Sequence, residues 1–170
     1  MITFKEIVNT FDIVGKKHKM INSFHSGFLD EVDINKLGAE DYVILYIEPS
    51  TVNINTGVLT YSFTIYVMDI ASEDIGASAE DNTFTAKTQR TGRNDTWSET
   101  LSILQDVINE FKQNLYSTSW VKDQIVLQMP INAEPYTARF NNLLTGWSAQ
   151  LTLEVNNHNN LCISPISPNS

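Results

Sequence analysis

The sequence has a single cysteine, Cys162, so it cannot build a disulfide framework, and no Cys/His spacing in it suggests a zinc site. Basic side chains are few: 11 Lys and Arg face 20 Asp and Glu, for a formal net charge of −9. An open nucleic-acid-binding surface is therefore disfavoured, because affinity for a phosphate backbone comes largely from clustered Lys and Arg. No apolar run approaches the roughly 18 residues that a membrane-spanning helix needs. The start, Met1-Ile2-Thr3-Phe4-Lys5-Glu6, lacks the cationic segment and apolar block of a secretory signal, so a soluble, intracellular setting is expected. Gly57, Gly76 and Gly92 stand apart, which leaves no glycine-rich loop to cradle a phosphate.

Catalytic constellations are equally scarce. There is no Gly-x-Ser-x-Gly elbow, Cys162 lies in a loose tail, and His18, His25 and His158 fall in turn-like or loop contexts. His25 with Asp30 and Glu31, and Asp69 with Glu73 and Asp74, are the nearest approaches to a ligand cluster. Neither has the alternating oxygens of a calcium loop or the His-x-x-x-His spacing of a helical zinc site, so both read as solvated loop charges. No metal, cofactor or catalytic residue is expected.

What is present suits one domain able to close a core: 170 residues, 42% of them hydrophobic. Phe4, Ile7, Phe11 and Val14 recur at three- and four-residue spacing and predict an amphipathic helix from residue 3 to about 15, stopped by Gly15. Lys16, Lys17, His18 and Lys19 then complement the negative end of its dipole. Residues 20–40 read as an extended stretch and a loop. Tyr42-Val43-Ile44-Leu45-Tyr46-Ile47 predicts a central strand ended by Glu48-Pro49. A short segment from Thr51 to Ile54 leads to Asn55-Thr56-Gly57, whose glycine suits a three-residue hairpin loop. The next strand is long, from Val58 to about Ile70, with Tyr61, Phe63, Ile65 and Val67 on its strongly apolar face.

The capping box Thr96-x-x-Glu99 predicts the start of a second helix. Its stripe of Leu101, Leu104, Ile108, Phe111 and Leu115, widened by Ile103 and Val107, carries it to about Tyr116. Strands are expected near residues 125–129, 135–141 and 145–155. The last shows strict period two, with Trp147, Ala149, Leu151, Leu153 and Val155 facing in and Ser148, Gln150, Thr152 and Glu154 facing out.

This order predicts an α+β fold with two helices packed on one face of a largely antiparallel sheet. A single domain spans residues 1–156, with residues 71–95 inserted as a long loop, and residues 157–170 form an extended C-terminal arm. The loop is acidic first, at Glu73, Asp74, Glu80 and Asp81, then basic at Lys87, Arg90 and Arg93, with Ile75 and Phe84 as its sizeable apolar groups. Such polarity can pair between copies of one chain. The second sheet face, with Tyr46, Tyr66 and Met68, is expected to meet water in a monomer or a neighbour in an assembly. The aromatics Trp97, Trp120, Trp147, Tyr42, Tyr61 and Tyr136 read as core or interface residues.

Several segments together resemble a known family. Met20-Ile21-Asn22-Ser23-Phe24-His25-Ser26-Gly27, Tyr42-Val43-Ile44-Leu45-Tyr46-Ile47-Glu48-Pro49, Leu59-Thr60-Tyr61-Ser62-Phe63-Thr64-Ile65-Tyr66-Val67-Met68-Asp69, and Tyr136-Thr137-Ala138-Arg139-Phe140-Asn141 through Gly146-Trp147 to Leu161-Cys162 resemble small virion proteins of tailed bacteriophages. The chain looks in particular like the neck and tail ring proteins of Bacteroidetes phages of the crAss-like type, and its element order is similar to the tail-terminator and tail-completion fold. The resemblance implies a non-enzymatic structural protein of the virion neck or tail, assembled in the host cytoplasm. It would close into a six- or twelve-fold ring between portal and tail and touch neighbouring portal, neck or tail proteins. DNA would pass through the channel without specific binding, which a net charge of −9 suits, since a conduit should not grip a polyanion.

The interface contributors expected are Ile75, Phe84, Lys87, Arg90 and Arg93 in the loop and Asn159, Leu161, Ile163 and Ile166 in the arm. The alternative reading is a monomeric binding module that uses the aromatic sheet face for a small ligand or a partner strand. A hydrolase with an unrecognised acid pair would instead need a perturbed carboxylate in a deep pocket.

Overall fold

The computed structural model describes residues 2–29, 41–70, 91–113, 125–139 and 143–156. The elements run α1 (Phe4–Lys17), β1 (Ser23–Ser26), β2 (Ile44–Asn55), β3 (Val58–Ile70), α2 (Thr91–Gln113), β4 (Ile125–Leu127), β5 (Ala133–Arg139) and β6 (Leu143–Asn156). The six strands form one sheet in the order β1-β2-β3-β6-β4, with β5 also pairing β6. Only β1 and β2 run parallel; the other pairs are antiparallel. The fold is therefore α+β, as the element order predicts.

Local chemistry sets α1. Thr3 caps it, its hydroxyl accepting from the Glu6 N–H at 3.3 Å while the Glu6 carboxylate accepts from the Thr3 N–H at 2.6 Å. This reciprocal pair satisfies two donors that helix geometry leaves orphaned. The helix continues through Gly15 to Lys17, so Gly15 is not its stop. A β-carbon there would already touch Leu45 Cδ2 at 3.4 Å, so the glycine serves the close approach of α1 to the sheet.

Both helices bury one stripe against the same sheet face. Ile7, Phe11 and Val14 of α1 meet Ile103, Leu104, Val107 and Phe111 of α2, over Leu45, Ile47, Phe63, Ile65, Val67, Leu151, Leu153 and Val155. Phe11 is the keystone, with its ring centroid 4.4 Å from that of Phe111 and 5.7 Å from that of Phe63. Each such fully buried side chain contributes about 1.5–3 kcal/mol of transfer free energy.

Five expected boundaries move. The second helix begins at Thr91, so residues 91–95 of the expected loop are helical and Thr96 lies inside the helix. There Thr100 Oγ1 donates to the Thr96 carbonyl at 2.6 Å, and Ile103 and Val107 lie deeper than the half-buried Leu101. β2 does not end at Glu48-Pro49 but runs on to Asn55, with a register shift between Pro49 and Thr51. Proline is tolerated because β1 stops opposite Ile47, leaving β2 an edge strand at that point, where a missing N–H costs no ladder bond. The hairpin loop has two residues, Thr56 and Gly57, since Asn55 pairs with Val58, and Gly57 takes the positive φ of 81° that the turn needs. β4 ends at Leu127, short of residue 129, and β5 starts at Ala133.

Candidate assembly surface

The second sheet face divides into a closed and an open half. Near the start of β2, Tyr42, Ile44, Tyr46, Met68 and Leu144 form a second buried cluster, with Leu29, Tyr66, Ile70 and Tyr136 packed on it. Tyr46 and Met68 are each 1% exposed, so in this single chain they neither meet water nor await a neighbour, which corrects that expectation. Among the residues packed with them are Leu29 and Tyr42, at the two described ends of the connection between the parallel strands β1 and β2. Tyrosine rings meet edge to face across the strands, Tyr46 with Tyr66 at 6.2 Å and Tyr66 with Tyr136 at 5.4 Å. The Tyr66 hydroxyl donates to Glu48 Oε2 at 3.4 Å, and the Leu29 N–H approaches Glu48 Oε1 at 3.4 Å. Burial, and then the Glu48 charge, push the Tyr66 phenol above its ordinary pKa, and burial does the same at Tyr136.

The open half is polar. Thr64, Asn132, Glu134, Ser148, Gln150 and Thr152 line a shallow depression of about 430 Å³ at the bend between β4 and β5. On the helix side, Trp97 Nε1 donates to Thr145 Oγ1 at 2.6 Å and Trp147 Nε1 donates to the Trp97 carbonyl at 2.8 Å, riveting α2 to β6. Asp69, opposite Thr145 in the ladder, has its pKa raised by burial and partly restored by the Ile70 N–H. Among the described residues no group of three or more His, Cys, Asp or Glu could hold a metal ion. His25 lies beside Tyr46 in register, and Asp30, Glu31, Glu73 and Asp74 fall outside the described residues.

The feature that sequence reasoning missed is an edge. Beyond Ile47, nothing among the described residues pairs with the outer side of β2, so the outward N–H and C=O groups of residues 48–55 have no ladder partner among the described residues. The bulge after Pro49 inserts one residue and exchanges the strand's two faces. Val52 then pairs with Tyr61 and Ile54 with Leu59, which puts both side chains on the helix side, beyond the start of α1. There Ile54 is 77% exposed, Val52 46% and Phe4 43%, the Phe4 ring centroid lying 5.9 Å from that of Phe63. Free edges are ordinarily guarded by charge or proline. After Pro49 this one carries neither: residues 50–60 contain no Asp, Glu, Lys, Arg or Pro. The opposite edge is better guarded, with Pro130, Glu134 and Pro135 along β4 and β5. The signal was present as an uncharged stretch around the hairpin, but it becomes legible only once strand order shows which strand lies outermost.

Of the interface residues expected from sequence, Arg93 falls within α2; Ile75, Phe84, Lys87, Arg90, Asn159, Leu161, Ile163 and Ile166 lie outside the described residues. Among the described residues no helix is long and apolar enough to cross a membrane. No family model matches this chain, and no curated protein matches it.

Proposed function

We propose that this chain is a structural subunit of a homo-oligomeric ring in the neck or tail of a tailed double-stranded DNA phage, surrounding the channel through which the genome passes. The observation that carries the assembly reading is the unguarded outer edge of β2, with Val52 and Ile54 exposed beside it. A monomer pays for such an edge with aggregation risk, whereas a subunit hides it in every assembled particle. The resemblance of the strand segments to phage ring proteins supplies the particular assembly. A net charge of −9 fits a conduit that lets DNA slide. The buried state of Tyr46 and Met68 supports this reading over the monomeric module, because the aromatic face that a ligand would need is already occupied by the protein itself.

Light scattering of the purified chain across a concentration series, coupled to negative-stain imaging, tests it. A closed ring, formed alone or on addition of a portal-side component, is the expected result. A species that stays monomeric with every neck and tail component overturns the proposal.

A further inference from the structure

The free edge calls for an occupant, and the chain itself carries a candidate of matching chemistry. We propose that residues 159–166 of one copy add as a strand to the outer edge of β2 in a neighbouring copy, with Leu161 and Ile163 covering Val52 and Ile54. The inference rests on the homo-oligomeric reading above and names the segment that would link its subunits.

Five observations support it. β6 ends at Asn156, which pairs with Val58 directly beside the hairpin, at the same end of the sheet where Val52 and Ile54 are exposed. Residues 157 and 158 provide about 7 Å of extended chain for the step from the sheet to a packed neighbour. The chemistry of the two partners also matches: residues 50–60 and residues 157–170 both lack Asp, Glu, Lys and Arg, so pairing them desolvates no fixed charge. Alternation in Leu161-Cys162-Ile163-Ser164 sets two apolar side chains on one face and Cys162 and Ser164 on the other, and Pro165 follows where the bulge interrupts the β2 edge. Because Ile54 is 77% exposed in the single chain, the covering strand comes from a second molecule.

The face assignment makes the proposal sharp. With Leu161 and Ile163 on the helix side, Cys162 falls on the opposite face, shared by Thr51 and Asn53. Because Cys162 is the chain's one thiol, a single added cysteine reports the pairing. Directly opposite residues in neighbouring strands are within disulfide reach. Covering Val52 and Ile54 with Leu161 and Ile163 puts Cys162 opposite Asn53, so Asn53→Cys in the full chain, mildly oxidised, is expected to give covalent dimers and higher multimers, and Thr51→Cys, made separately and displaced by two residues along the strand, fewer of them. Val52→Cys and Ile54→Cys, whose side chains lie on the other face, are expected to give no more than the Cys162→Ser background. In parallel, the full-chain double variant Leu161→Asp/Ile163→Asp is expected to shift the mass by light scattering toward monomer without moving the urea midpoint of unfolding.

An intramolecular disulfide, or equal linking at all four positions, overturns the inference. So does linking that persists without Cys162, because β2 edges would then be meeting each other. If rings form but no intermolecular link does, or if the double variant still forms rings, the arm inference fails and the ring reading stands. A full chain that is monomeric at every concentration and with every partner sinks both.

Discussion

Gly146 offers the most exacting test of how closely the central strands are packed. It lies in β6 opposite Met68 of β3, and a β-carbon built on it would sit 1.9 Å from the Val67 carbonyl oxygen, 2.9 Å from that carbonyl carbon and 3.1 Å from Met68 Cα. All three are backbone atoms, so no side-chain rotation relieves the contact. Restoring an ordinary separation of 3.4 Å would push β3 and β6 apart by about 1.5 Å at this point. Strands normally lie about 4.8 Å apart, so an opening of that size stretches the flanking ladder bonds beyond useful length. With overpacking strain at 1–3 kcal/mol and about 1 kcal/mol for each ladder bond lost, Gly146→Ala should cost about 3 kcal/mol. At a urea slope of about 2 kcal/mol per molar, the unfolding midpoint falls by about 1.5 M.

Gly57→Ala is the internal control. Its β-carbon would meet nothing within 4 Å, but its φ of 81° strains any L side chain, for a cost of about 1 kcal/mol and a midpoint shift of about 0.5 M. Equilibrium urea unfolding followed by circular dichroism measures both. If Gly146→Ala proves no more destabilising than Gly57→Ala, the close approach of β3 and β6, and the register built on it, is refuted.

Further consequences follow from the core and the caps. Phe11→Ala should cost about 3–5 kcal/mol in the same unfolding assay, because the cavity opens between Phe63 and Phe111 where helix and sheet meet; a loss under 1 kcal/mol would show that the site collapses or that α1 is not docked there. Thr145→Val removes the acceptor for Trp97 Nε1 and should cost about 1–3 kcal/mol with a change in tryptophan fluorescence, while an unaltered spectrum would count against that bond. Glu6 has its pKa lowered from 4.5 by the Thr3 N–H and hydroxyl, so the carboxylate's contribution is present above that value and is lost as pH falls through the lower folded-state value. The gap between the wild-type and Glu6→Gln urea midpoints should therefore close as pH drops below about 4.5, and a gap independent of pH would contradict the capping box.

Much of the architecture is written in periodicity. The stripe of Phe4, Ile7, Phe11 and Val14 marks α1, the alternation from Tyr61 to Val67 marks β3, and that from Trp147 to Val155 marks β6, because side-chain direction in a regular element depends only on position along the chain. These patterns were enough to give two helices on one face of a mostly antiparallel sheet. Boundaries were less legible. Gly15 looks like a helix stop until Leu45 is seen packed against it, and Pro49 looks like a strand end until β1 is seen to finish at the residue pair before it. The Thr96 hydroxyl looks like a cap, yet α2 starts a turn and a half earlier. In the first two cases a local signal competed with a tertiary contact, and the contact prevailed.

The sequence by itself determined the class of the fold, the apolar face of each long element, and an acidic, nearly cysteine-free composition that points away from disulfide, zinc and nucleic-acid-binding chemistry. Strand order lay beyond it, because which strands become neighbours depends on contacts between residues far apart in the chain. Only the tertiary structure showed that Tyr46 and Met68 are sealed in a second cluster, that a bulge turns Val52 and Ile54 onto the helix side, and that the uncharged half of β2 has no strand beside it among the described residues. An edge is a property of the whole sheet, and no single strand's pattern can say that it lies outermost.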